Sequence, residues 1–172
     1  PCGTLFPYTT LFRSVEVVGG TGMVAAIVSV AGEGKADVAY YSAFDPAAAT
    51  QTVNVPLIQK YLGTAGANGW STGVQVANLG AATTTVTGTF NVTCNGTPET
   101  IVDTVNINQD SSETFLQLNG WATGALGTRD GCLGSAVFTA DEPIVAIVQQ
   151  SYFGAGNPFT GDVLLAFEAF NK

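Results

Sequence analysis

The sequence predicts an all-β protein: an antiparallel two-sheet β-sandwich, Ig-like in its strand spacing, preceded by part of another unit. Three observations predict it. Apolar and polar residues alternate with a period of two over several stretches, the pattern of half-buried strands. These stretches are short, bounded by Gly, Asn, Asp and Pro, and about eight of them follow one another at even spacing. None carries the apolar stripe of an amphipathic helix.

The opening residues read differently from the rest. Thr4–Ser14 is TLFPYTTLFRS, which over its whole length is similar to the conceptual translation of a common short-read sequencing adapter. Residues 1–14 are therefore expected to be a sequencing artefact in a gene assembled from environmental DNA, and Cys2 and Arg13 to carry no biological meaning. The alternative is a natural apolar strand, Leu5–Phe12. Segments of foreign origin stand outside fold reasoning, so the natural chain is taken to start near Val15.

An internal repeat follows. Val15–Val28 aligns with Ser135–Val148 at an offset of 120, sharing Val17/Val137, Ala26/Ala146, Ile27/Ile147 and Val28/Val148. Ala43 and Phe44 match Ala169 and Phe170 at an offset of 126, so the second copy holds a longer loop near Gln149–Gly161. Self-similarity at a fixed period marks repeat architectures. Residues 15–44 are expected to be the last three strands of a partial unit, and residues 45–172 one complete unit. A few strands cannot close a sandwich alone. They must pack on the complete unit or leave edges open to another chain.

Within the complete unit, strands are expected at Val53–Lys60, Trp70–Ala77, Thr83–Cys94, Glu99–Ile107, Glu113–Leu118, Gly134–Thr139, Ile144–Gln150 and Asp162–Phe170. Pro56 donates no ladder hydrogen bond, so the first of these is an edge or a kinked strand. Trp70, Thr72, Val74 and Val76 share one face of the second, which makes Trp70 a core residue. Val86, Gly88, Phe90, Val92 and Cys94 share one face of the third, with Thr on the other. The turn chemistry of Asn78-Leu79-Gly80 suggests that these two strands form an antiparallel hairpin. Ile144–Val148 is continuously apolar, as in a strand covered on both faces.

Composition narrows function. The net charge is −8, with five Lys and Arg against thirteen Asp and Glu. Phosphate recognition needs clustered basic residues, so nucleic acid is not an expected partner. There is no His, which removes Ser-His-Asp and Cys-His nucleophiles and His-ligated zinc. No apolar run is long enough to span a membrane, so no membrane insertion is expected. Only 10% of residues are charged, against about 25% in average soluble domains. This sparse charge suggests export, where disulfides persist. No signal peptide is visible, which fits a gene fragment. Cys94 and Cys132 are then the expected disulfide and Cys2 the odd cysteine.

Val55–Ile58, the W-x-T-x-V-x-V-x-N-L-G segment from Trp70 to Gly80, Gly134–Val137 and Pro143–Val148 occur in that order. This order resembles tandem β-sandwich repeats in secreted surface proteins of environmental bacteria. The resemblance spans residues 53–170 and implies a structural or adhesive repeat with no active site. Cofactors are not implied. The cysteine pair lies outside the resemblance.

Asn91-Val92-Thr93 and Asn95-Gly96-Thr97 are glycosylation sequons in form, but read more simply as strand and turn. Asp110 with Glu113, and Asp141 with Glu142, lack the alternation of a calcium loop. Asp103 interrupts an apolar face, as at a sheet edge. Trp121, Tyr152 and Phe153 are the candidate ligand-binding aromatics, since rings offer flat apolar area for a sugar. The expected function is a non-enzymatic extracellular or cell-surface repeat, with neighbouring repeats as partners. The alternatives are a carbohydrate-binding module that takes surface glycans, or a filament subunit that assembles with other copies by strand complementation.

Overall fold

The computed structural model of the chain describes residues 27–31, 38–42, 44–63, 69–118, 126–153 and 164–172. The expectations for residues 1–14, for most of Val15–Val28 and for Trp121 lie outside these residues. Strands β1 (Ile27–Ala31) and β2 (Val38–Ser42) form an antiparallel pair. A single 3-10 turn, Pro46–Ala48, follows, with the Asp45 carboxylate accepting the Ala47 amide at 2.9 Å. Nine strands then form one antiparallel network: β3 (Thr50–Lys60), β4 (Leu62–Gly63), β5 (Gly69–Asn78), β6 (Thr84–Cys94), β7 (Thr97–Ile107), β8 (Ser112–Leu116), β9 (Cys132–Phe153), β10 (Leu164–Glu168) and β11 (Phe170–Asn171). No α-helix occurs among the described residues.

The network is two layers joined by β9. From Cys132 to Thr139, β9 runs between β6 and β3. From Ile144 to Phe153 it runs between β5 and β10. The first layer is β7-β6-β9-β3-β11, and the second is β8-β5-β9-β10 with short β4 on the end of β5. The two strands expected at Gly134–Thr139 and Ile144–Gln150 are thus one strand of 22 residues that changes layer midway. Strands that switch sheets through a bend or bulge make such corners.

Ala140–Pro143 is that bend, and two other crossings gather on it. The Asn78 carboxamide is fully buried and saturated: Nδ2 donates to Ala82 O (2.7 Å) and Ile107 O (3.1 Å), and Oδ1 accepts from Gly80 N (2.9 Å). Leu79 N donates to Pro143 O, and Asn78 N to Ser111 O. The Thr84 hydroxyl accepts the Asp141 and Glu142 amides at 3.2 and 3.4 Å. The turn chemistry of Asn78–Gly80 therefore builds an inter-layer corner. This corrects the expected hairpin: β5 and β6 do not pair with each other but lie in opposite layers. The true hairpin is β6–β7, closed at Asn95–Gly96, where both residues have positive φ (48° and 84°). That is the two-residue turn whose twist matches antiparallel strands.

Period-two reading of faces holds in β6, where Val86, Gly88, Phe90, Val92 and Cys94 are all buried. In β5, Thr72, Val74, Val76 and Asn78 are buried, while Trp70 near the strand's end is half-buried. Phe90 and Phe138 from the first layer and Phe115 from the second meet at the centre, with ring centroids 4.9 to 6.4 Å apart. Each ring is fully buried. Gly134 lets β9 approach β6 closely, since a Cβ there would lie 2.1 Å from Asn91 O. Asp103 sits half-buried on β7, the outer strand of its layer, as the edge reading requires.

Candidate functional surface

β3 changes phase at Pro56. Val53 and Val55 face inward, and then Ile58 and Lys60 do, because the register with β9 shifts between Val55 and Ile58. A bulge adds one residue and so reverses which parity faces the core. Lys60 is carried to the inner face at 1% exposure, next to Cys132 in the ladder. Its ammonium donates to Gly127 O and lies 5.8 Å from the Tyr61 ring centroid. Burial pushes its pKa below the ordinary lysine range, Asp130 opposes the shift and Arg129 adds to it. One Asp130 carboxylate oxygen is buried there without a hydrogen bond. Sequence reasoning missed Lys60. The available signal was the change of apolar phase across the proline.

Cys94 and Cys132 are bonded, with Cα atoms 4.0 Å apart, and stand opposite each other at the end of the β6–β9 ladder. Beside them a shallow open groove of about 440 Å³ is lined by Asn91, Thr93, Pro98, Glu99, Leu133 and other residues of β6, β7 and β9. Glu99 pairs with Arg129 at 2.6 Å. Among the described residues, Glu99 is the one ionisable side chain that lines this groove. No cluster of three or more metal-ligating side chains occurs among the described residues.

The remaining candidates separate in space. Tyr152 lies in β9 opposite Trp70, with the rings 6.0 Å apart at 83°, edge to face. Those two rings do not make one flat platform. Phe153 is the last residue of β9, paired with Gly69. Of the carboxylates, Glu142 accepts the Ala81 amide at 2.9 Å and braces the inter-layer corner. Asp110 lies in the exposed β7–β8 turn with φ of 55°. The sequon Asn95-Gly96-Thr97 is the β6–β7 turn, and Asn91 is an exposed strand residue that accepts from the Thr100 hydroxyl.

The last surface is an edge. β10 pairs with β9, and β2 approaches it to within 8 Å with no ladder between the two strands. Around it Tyr40 and Leu165 are 64% and 51% exposed.

No protein-family model and no curated protein matches the sequence. Among solved structures, the chain is similar to a crystal structure titled Thermotoga maritima 1070. The TM-score is 0.51 at 16% identity, over 72% of this chain and 96% of that one. At that identity the likeness concerns the fold alone, and it agrees with an all-β sandwich-like architecture.

Proposed function

We propose that the chain is one complete unit, with the end of another before it, of a repetitive structural or adhesive protein at a bacterial cell surface, and that it works without catalysis. One observation carries the reading. In β1–β2, Ile27, Val28, Ser29, Val30 and Ala31 face Ser42, Tyr41, Tyr40, Ala39 and Val38. In β9–β10, Ile147, Val148, Gln149, Gln150 and Ser151 face Glu168, Phe167, Ala166, Leu165 and Leu164. Offsets of 120 on the first strand and 126 on the second carry every pair of the first set onto a pair of the second. A slip of one residue in either strand would destroy the correspondence. The offsets come from residue identities and the registers from backbone pairing, so each supports the other.

Tyr41 corresponds to Phe167, and burial pushes its phenol above the ordinary tyrosine range, as suits a position that is apolar in the other copy. The disulfide and sparse charge favour an oxidising, extracellular setting. Among the described residues no helix is long and apolar enough to cross a membrane.

Sequencing the gene on both sides of this segment tests the proposal. Further copies of the Trp70–Gly80 and Pro143–Val148 segments at a similar period are expected. A single copy joined to a catalytic domain would overturn it.

A further inference from the structure

We propose that the outer edge of β10 is a self-docking surface through which two copies of the unit join as a closed pair. The inference rests on the repeat reading above, because it needs β1–β2 to be the counterpart of β9–β10. Cα atoms of β2 and β10 approach to 8 Å or less. No ladder joins β2 to β10, but β2 approaches β10 much more than it approaches β9, which sets it on the side of β10 away from β9. The order across the contact is β9, β10, β2, β1. In unit terms that is β9, β10, then the other unit's β10 and its β9. The order is palindromic, and the same edge is used from both sides. A contact of that kind is isologous and closes after two copies, whereas a head-to-tail contact continues into a filament.

The edges themselves point to the same occupant. Exposed strand edges are ordinarily guarded by charge, proline or a bulge. The β7 edge carries Pro98, Glu99 and Asp103, and β8 carries Glu113. β10 reads Leu-Leu-Ala-Phe-Glu, with Leu165 half exposed and its lone charge at the last residue. This is an edge left open for an uncharged strand, and the strand beside it is its own counterpart. In an array, a unit whose β10 edge is taken by its predecessor cannot offer it to its successor. Units therefore group in twos.

In the full chain β2 occupies the edge, so the wild type is expected to be a monomer by size-exclusion chromatography with light scattering. Tyr40→Pro removes β2 from the edge and leaves the core untouched, since Tyr40 is 64% exposed. The variant is expected to run at twice the chain mass at tens of micromolar. Adding Leu165→Lys, a charge on the β10 edge, returns it to a monomer. Ala39→Lys, at a buried β2 position, serves as a second route to the same release. An intact Cys94–Cys132 bond and protected β6 amides certify that each variant is folded. If both release variants stay monomeric while β10 amides begin to exchange, self-docking is overturned. An open-ended ladder of oligomers, or a dimer indifferent to Leu165→Lys, also overturns it. Failure here leaves the repeat reading standing, because that reading fails only on the flanking gene sequence.

Discussion

Lys60 shows how one backbone irregularity assigns a side chain its environment. Without the shift at Pro56 it would point to solvent, like Gln59. With it, an amine is held against the disulfide end of the core at a depressed pKa. Such a group protonates in the unfolded chain at higher pH than in the folded one. Its charge therefore costs stability below the folded pKa, and that cost fades as pH rises toward 10.5. Lys60→Met is expected to stabilise the protein near pH 7, since an apolar side chain of similar length avoids burying a charge. The gap from wild type should close as pH climbs through the alkaline range. Urea unfolding of both proteins at pH 7 and pH 10 checks this, and a gap independent of pH would refute it. The β6 faces were legible because alternation is local. Lys60 was not, because its phase depends on a bulge whose partner strand lies more than seventy residues away.

At the level of elements, β9 is the member on which the others depend, and Cys132 begins it. There β9 lies between the ends of β3 and β6, with Lys60 and Cys94 as ladder partners. The Cys94–Cys132 bond closes a loop with a sequence separation of 38. Chain-entropy reasoning values a closure of that length at about 4 kcal/mol. Reduction, or a Cys94→Ala/Cys132→Ala double variant, is expected to lower stability by about that amount in chemical denaturation. A loss well under 1 kcal/mol would mean that the ladder end is held by packing alone. The pairing was readable because sparse charge pointed to an oxidising setting and Cys2, within residues 1–14, stood apart from the other two cysteines. The pairing of β5 was not, because Asn78-Leu79-Gly80 has the same residue chemistry in a hairpin and in the corner it actually builds.

For the whole molecule, continuity of β9 through both layers means that neither layer has a strand set of its own. The Phe90, Phe115 and Phe138 cluster reinforces this by drawing on both. The complete unit is expected to unfold as one cooperative transition. Near-ultraviolet and far-ultraviolet circular dichroism should then give coincident urea curves. Separated midpoints would show that the layers are independent. β1–β2 is a two-stranded sheet and contributes little stability by itself. Its amides should exchange faster than those of β6.

The amino-acid sequence by itself determined that the chain is β, which residues of β6 face inward, and which cysteines bond. These depend on alternation over a few residues and on compatible facing, both written locally. Its repeat also anticipated, through two residue offsets, the register that β1–β2 shares with β9–β10. Only the tertiary structure decided which strands are neighbours, that β9 is one strand rather than two, and that Lys60 is buried. Each of those outcomes is set by how two layers separated along the chain meet and saturate one another's backbone groups at a shared corner, and no local pattern encodes that choice.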